Sequence, residues 1–220
     1  NNITEHNNNK IVIQKNGVKF HFSLALKNQY ESAVIFSNGA INREKKNPPI
    51  YMRSSWAEDV TSNCIFIDDP TIHNSNLSIG WGIGRPDHYY LNDISLIIRK
   101  ILSLYGIEDE KVMYYGSSAG GTMSLLLGSK HIGSKVLVNN PQMRTDKFLS
   151  GRTICDIRET FFENYSEDEF FNEFKERLSV PYAFKNNQHI PQTIYLFNRK
   201  AYGDFEIQFK SFIEDMKDLE

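Results

Sequence analysis

Ser118 stands at the centre of Gly116-Ser117-Ser118-Ala119-Gly120, with the strand-like run Lys111 to Tyr115 before it and the small-then-apolar run Gly121 to Leu127 after it. A strand that reverses sharply into a helix leaves its turn residue strained and its hydroxyl outside the sheet. Only very small neighbours two positions away on each side let strand and helix come together. The spacing marks Ser118 as a candidate nucleophile. The alternative is that these glycines close a tight turn around an inert serine.

A serine hydroxyl attacks an acyl carbon only with help: N–H donors for the oxyanion, a base for its proton, and an acid that orients the base. In an open α/β sheet, residues that follow the strands gather at one edge, where ligands bind. After the run Ser32 to Phe36, the segment Ser37-Asn38-Gly39-Ala40 offers the backbone N–H of Asn38 or Gly39 as one oxyanion donor, opposite that of Ala119. Such a donor is commonly worth about 3 kcal/mol of transition-state stabilisation; the other reading of this segment is a plain turn. Asp204 follows the run Thr193 to Phe197 across the six-residue loop Asn198-Arg199-Lys200-Ala201-Tyr202-Gly203, and is the candidate acid, with Asp146 in reserve. The loop Gly80 to Tyr90 carries Trp81, Arg85, His88 and Tyr90, and its glycines do not match the dinucleotide fingerprint. Aromatic faces beside an Arg suit a sugar ring or an anionic glycan; equally, Trp81 and Tyr90 can plug a small core of the loop itself. Asn140 and Gln142, after the run Lys135 to Val138, join Trp81 and Arg85 as candidate substrate contacts.

These residues must be positioned by alternating strands and helices. Ile11 to Gln14 and Val18 to Ala25 flank Asn16-Gly17, a pair that accepts positive φ, and read as a hairpin. Ser32 to Phe36, Cys64 to Ile67, Lys111 to Tyr115, Lys135 to Val138 and Thr193 to Phe197 read as further strands. Leu91, Ile94, Ile97, Ile98, Ile101 and Leu102 recur at helical spacing before a stop at Gly106. Residues 151–190 read as a helical insertion, either a cap over the site or crossover helices on the sheet, with a capping box at Ser166 to Glu169 heading a helix through Leu178. Phe205 to Leu219 closes with an amphipathic helix. Residues 1–10 read as a polar tail and 11–220 as one domain.

Composition bounds the rest. At 220 residues with 40% apolar content, the chain can bury one sizeable core, and its net charge of −2 makes no case for nucleic acid or an anionic membrane. Cys64 and Cys155 sit in separate elements and read as reduced core residues, so neither a metal site nor a disulfide is expected. No run has the length of a membrane span and no signal peptide is visible, which makes a cytoplasmic enzyme the expectation. The first residue is Asn1 and not Met, so the chain reads as an excerpt.

An antiparallel hairpin followed by parallel β-α units, with an elbow at Ser118, resembles the α/β hydrolases: a three-layer α/β/α sandwich with a mainly parallel sheet. Their chain order is Ser, acid, His, yet no histidine follows His189. His189 and His131 fall at the wrong edge of the sheet, whereas His73 and His88 have positions that reach the active face. The histidine is therefore expected beyond Glu220. Within this fold, Gly-Ser-Ser-Ala-Gly-Gly at 116–121 followed one strand later by Val-Asn-Asn-Pro-Gln at 138–142 resembles bacterial capsule and surface-glycan O-acetyltransferases. The resemblance implies Ser118 as nucleophile, Asp204 as acid, no bound cofactor, acetyl-CoA as acyl donor and a polysaccharide hydroxyl as acceptor. The same acyl-enzyme resolved by water gives a carboxylesterase or glycan deacetylase, and a scaffold without its base gives a non-catalytic binding protein.

Overall fold

Continuous apolar runs build the middle of the sheet. In the computed structural model, which describes residues 2–7, 9–148 and 151–217, β4 (Ala33–Phe36) and β5 (Asn63–Ile67) lie side by side and parallel. All of β5 is buried, as a strand covered on both faces must be. On one side β6 (Val112–Ser117), β7 (Lys135–Asn139) and β8 (Gln192–Leu196) continue in parallel from β4. On the other side β3 (Val18–Ala25) pairs antiparallel with β5 and is followed by β2 (Lys10–Lys15) and β1 (Asn2–Asn7). The eight strands run in the order β1-β2-β3-β5-β4-β6-β7-β8. Asn16 and Gly17 take φ of 50° and 76° in the expected hairpin turn.

The segment expected to be a tail is thus, over Asn2–Asn7, an outer strand, with Asn1 and Asn8 outside the described residues. Backbone pairing with β2 gives it a structural role that its polar composition, with Ile3 as its one apolar residue, concealed.

Helices α1 (Tyr90–Leu104) and α2 (Ala119–Gly128) cover one face, and their Leu91, Ile94, Met123 and Leu126 pack with Ile35, Ile65, Tyr114 and Val136. The opposite face is covered more thinly, with Phe36 and Phe66 packed against a loop whose 3-10 turn spans Ser54–Glu58. The 151–190 region forms α3 (Gly151–Phe161), α4 (Glu167–Glu173), α5 (Lys175–Leu178) and α6 (Val180–Asn187). α6 joins the main core through Val180, Ala183 and Phe184. Ile154 and Ile157 of α3 and Phe170 of α4 instead share a second cluster with Trp81 and Ala119. The capping box at Ser166 and Glu169 forms, but its helix breaks at Phe174 and does not run through Leu178. After the break, the buried Arg177 donates to the carbonyls of Ile83, Arg85 and Pro86, which ties α5 to the 80s loop. The closing helix is a π-helical segment, Gly203–Lys210, followed by α7 (Ser211–Lys217); Leu219 lies outside the described residues.

The approach of β6 to α2 is among the tightest in the fold. A Cβ on Gly116 would stand 2.1 Å from the Gly120 carbonyl oxygen, whereas one on Gly17 would meet nothing within 4 Å. Gly116→Ala is therefore expected to cost about 3 kcal/mol or prevent folding, and Gly17→Ala about 1 kcal/mol through its positive φ alone. Chemical unfolding of the two variants beside the parent checks the ranking; equal losses contradict it.

Candidate active site

The strand-to-helix reversal leaves Ser118 at φ 52°, ψ −131°, a sparsely populated conformation that costs about 1–3 kcal/mol in a residue with a side chain. Its place is between β6 and the first turn of α2, at the carboxyl ends of the parallel strands, and it is half-buried. Three glycines permit this. Besides Gly116, a Cβ on Gly120 would lie 2.6 Å from the Ser37 carbonyl oxygen, and one on Gly121 would lie 3.0 Å from Pro141 Cβ. The last contact explains why the two sequence segments belong together: the absence of a side chain at 121 lets the Asn-Pro-Gln turn close onto α2.

That turn delivers Gln142. Its Nε2 donates to Ser118 Oγ at 3.2 Å, and its Oε1 accepts from Trp81 Nε1 at 3.1 Å. An indole only donates, so Trp81 dictates which end of the amide faces the serine. Thr122 Oγ1 fixes the backbone below, donating to the Gln142 carbonyl at 2.9 Å and accepting from its N–H at 3.0 Å. Thr122 was missed in the sequence, although its position four residues after Ser118 puts it on the same side of α2.

On the other side of Ser118, the Asn38 backbone sits against Gly120. Among the described residues the N–H groups of Asn38 and Ala119 make no hydrogen bond, whereas the Gly39 N–H meets Met52 Sδ at 3.2 Å. Of the two sequence candidates, Asn38 thus carries the open donor. The N-terminal end of α2 adds its positive dipole at the same place. The buried Asn38 side chain is structural: it donates to the Ile50 carbonyl and to Asp68 Oδ1, and accepts from the Met52 N–H at 3.0 Å. Arg53, which no motif announced, donates to Ser117 Oγ at 2.6 Å and lies over the rings of Trp56 and Tyr115.

Asp204 opens the π-helical segment beyond β8, and its Oδ2 accepts from Asn140 Nδ2 at 2.8 Å. Asn140 follows β7 with φ 49°, so Asp204 lies near the carboxyl edge that carries Ser118. Partial burial raises its pKa. The reserve acid Asp146 is ion-paired with Arg144 at 2.6 Å, which also reaches Asp215.

No described histidine is hydrogen-bonded to Ser118 or Asp204. His73, on the active edge, is bonded to Asp68, and His88 to Asp93 at 2.6 Å. His131 is buried between Tyr114 and Asp109, and His189 precedes β8. Two substrate contacts also change role. Trp81 is 1% exposed and edge-on to Phe148, so it presents no ring face to a sugar and serves as the anchor of Gln142. Asn140 holds Asp204. Arg85 is exposed, over the Phe161 ring at 5.9 Å, in a pocket that Ser118 does not line.

No protein-family model and no curated protein sequence matches this chain. Solved structures do. The capsule O-acetyltransferase of Neisseria meningitidis serogroup A superposes with a TM-score of 0.70 at 13% identity, covering 98% of this chain and 85% of that one. A mutant of that enzyme in complex with CoA gives 0.57 at 14% identity over 99% and 98%. A putative carboxylesterase from Lactobacillus plantarum gives 0.63 at 8% identity over 96% and 82%. The fold is that of the α/β hydrolases, a three-layer sandwich with a mainly parallel sheet and an antiparallel N-terminal hairpin.

Two measurements follow from this geometry. Trp81→Phe keeps the ring and removes the N–H, freeing the Gln142 amide to turn; labelling of Ser118 by a fluorophosphonate should slow by about tenfold, the worth of one hydrogen bond. An unchanged rate refutes the anchoring role. Asp69, buried beneath the same loop, accepts from the N–H groups of Thr71 and Gly82, and burial pushes its pKa up to about 6 from 3.8. The folded state then holds the proton more tightly, so this group's contribution is greatest below pH 3.8 and is lost as pH rises through about 6. The stability of the parent minus that of Asp69→Asn should fall by on the order of 3 kcal/mol between pH 4 and 7; a rise contradicts it.

Proposed function

We propose that this protein is a serine acyltransferase that moves an acetyl group from acetyl-CoA to a hydroxyl of a bacterial capsular or surface polysaccharide, in the cytoplasm. The observation that carries the reading is the strained Ser118 between two unengaged N–H groups, those of Ala119 and Asn38, on an edge that also carries Asp204. The fold likeness to a capsule O-acetyltransferase, one of whose structures contains CoA, supports the donor and acceptor classes.

In this mechanism Ser118 Oγ attacks the thioester carbonyl, the Oγ–C bond forms, and its proton passes to an imidazole oriented by Asp204. The oxyanion points at Ala119 and Asn38; as it collapses, the C–S bond breaks and CoA leaves as the thiol with that proton. A sugar hydroxyl then attacks the acetyl-serine, gives its proton to the imidazole, and Ser118 departs with the proton returned. Gln142, already bonded to Oγ, keeps the nucleophile in place while the acyl group is exchanged. Helices α3 and α4, which share a cluster with Ala119, act as the cap that limits water.

Carboxylesterase or glycan deacetylase activity is the second reading, favoured by the esterase neighbours, since water can resolve the same acyl-enzyme. A non-catalytic binding role draws its support from His73 and His88, which are both bonded to aspartates elsewhere. In the full-length protein, Ser118→Ala should lower acetylation of the glycan by more than about a thousandfold while leaving the thermal midpoint intact. Glycan ester formed against acetate released separates transferase from hydrolase, and absence of both together with no fluorophosphonate adduct sinks the enzyme reading.

A further inference from the structure

Basic residues that look dispersed in the sequence converge at the hairpin end of the carboxyl edge. Because β3 runs antiparallel to β5, the turn before β3 reaches the same edge as the loops after the parallel strands. There Lys19, His73, Arg85 and Phe161 surround a pocket of about 310 Å³, and His73 and Asn74 also border a second basin of about 430 Å³ that includes Arg43. Among the described residues no aspartate or glutamate lines either basin. The Lys19 ammonium makes no hydrogen bond or ion pair among the described residues, and Arg85 rests on Phe161. Arg43 is held by the carbonyls of Leu77, Ile72 and Ser75, so among the described residues no carboxylate compensates its charge.

We infer that the two basins form one groove that binds an acidic oligosaccharide, its anionic groups at Lys19 and Arg85 and its hydroxyls at the amides beyond His73. Resting on the acyl-transfer reading, this makes the groove the acceptor subsite. A sugar polymer suits it better than a compact anion: two adjoining basins share a wall, an aromatic ring flanks the cations, and Asn47, Asn74 and Asn76 supply neutral donors and acceptors. The groove is also connected to the reaction centre. His73 is bonded to Asp68, Asp68 accepts from Asn38 Nδ2 at 3.2 Å and from the Ile50 N–H at 2.8 Å, and the Asn38 backbone faces Ala119's helix. A glycan strand lying against His73 is thus two hydrogen-bonded residues from the oxyanion loop.

The test is direct binding to the full-length protein carrying Ser118→Ala, which separates the groove from the fate of the nucleophile. The probes are an oligogalacturonate, a phosphorylated mannan oligosaccharide and neutral mannan oligosaccharide of equal length, measured by calorimetry. At least one acidic probe should bind about tenfold or more tightly than the neutral one, and its affinity should fall as added salt shortens the screening length from about 10 Å to about 3 Å. Lys19→Gln with Arg85→Gln, both exposed positions, should cost about tenfold in acidic-probe affinity with the thermal midpoint unchanged. Comparison of the uronate with the phosphate probe identifies the anion. Equal binding of acidic and neutral probes, parent-like affinity in the double variant, or stoichiometric displacement by CoA each overturns the proposal. If the groove binds while parent protein forms no acyl-enzyme, the groove stands and the acyl-transfer reading falls.

Discussion

The close approach of β6 to α2 is the constraint on which the site depends. Gly116 and Gly120 let backbone meet backbone where any side chain would collide, and the residue caught between them is forced to positive φ. A strained serine persists only where its surroundings over-determine it. Here they do: α2 is buried along its whole length, β6 is flanked by β4 and β7, and the Ser118 N–H is held by the Asn139 carbonyl at 2.9 Å. The strain is local, while the packing that holds it extends through the sheet.

Two polar networks then fix what surrounds the serine. On one side Trp81, Gln142 and Thr122 form a relay in which each member has one orientation open to it. On the other, Asn38 and Asp68 pin the loop that carries Ile50 and Met52, and with it the backbone facing Gly120. Buried polar groups stabilise only when satisfied, and a satisfied network specifies one arrangement at the cost of tolerance to substitution. The donors of Asn38 and Ala119 stay free because the side chains around them have other partners.

Much of this was legible in the sequence because it rests on local pattern. The buried runs gave β4 and β5, the periodicity from Leu91 gave α1, and small residues at 116, 120 and 121 marked the turn at Ser118. Position after a strand pointed to Asn38 or Gly39, Asp204 and Gln142, and the fold places Asn38 against α2, Asp204 on Asn140 and Gln142 on the Ser118 hydroxyl. What was not legible depends on tertiary partners. An indole on a glycine-rich loop looks the same whether it faces a sugar or an amide, so burial alone decided the role of Trp81. The outer strand Asn2–Asn7 is held by backbone pairing, which leaves no apolar signature. Arg53 reaches Ser117 from a segment with no motif, across 64 residues of chain.

The carboxylates sort by partner, and that sorting favours Asp204. Asp68, Asp93 and Asp109 each hold a histidine that is bonded to neither Ser118 nor Asp204, and Asp93 also takes Lys15. Asp146 is neutralised by Arg144. Asp204 has a neutral amide as its hydrogen-bond partner and no cation within ion-pairing distance among the described residues. An aspartate paired with a guanidinium has its charge already compensated and does little to raise an imidazole's basicity, whereas one held only by an amide keeps that capacity and its orientation together. The same logic separates Arg43 and Lys19 from Arg144: basic groups without a carboxylate are the ones available to an anionic ligand. Across this edge of the sheet, the proposed chemistry therefore falls on the charges that the described residues leave unpaired.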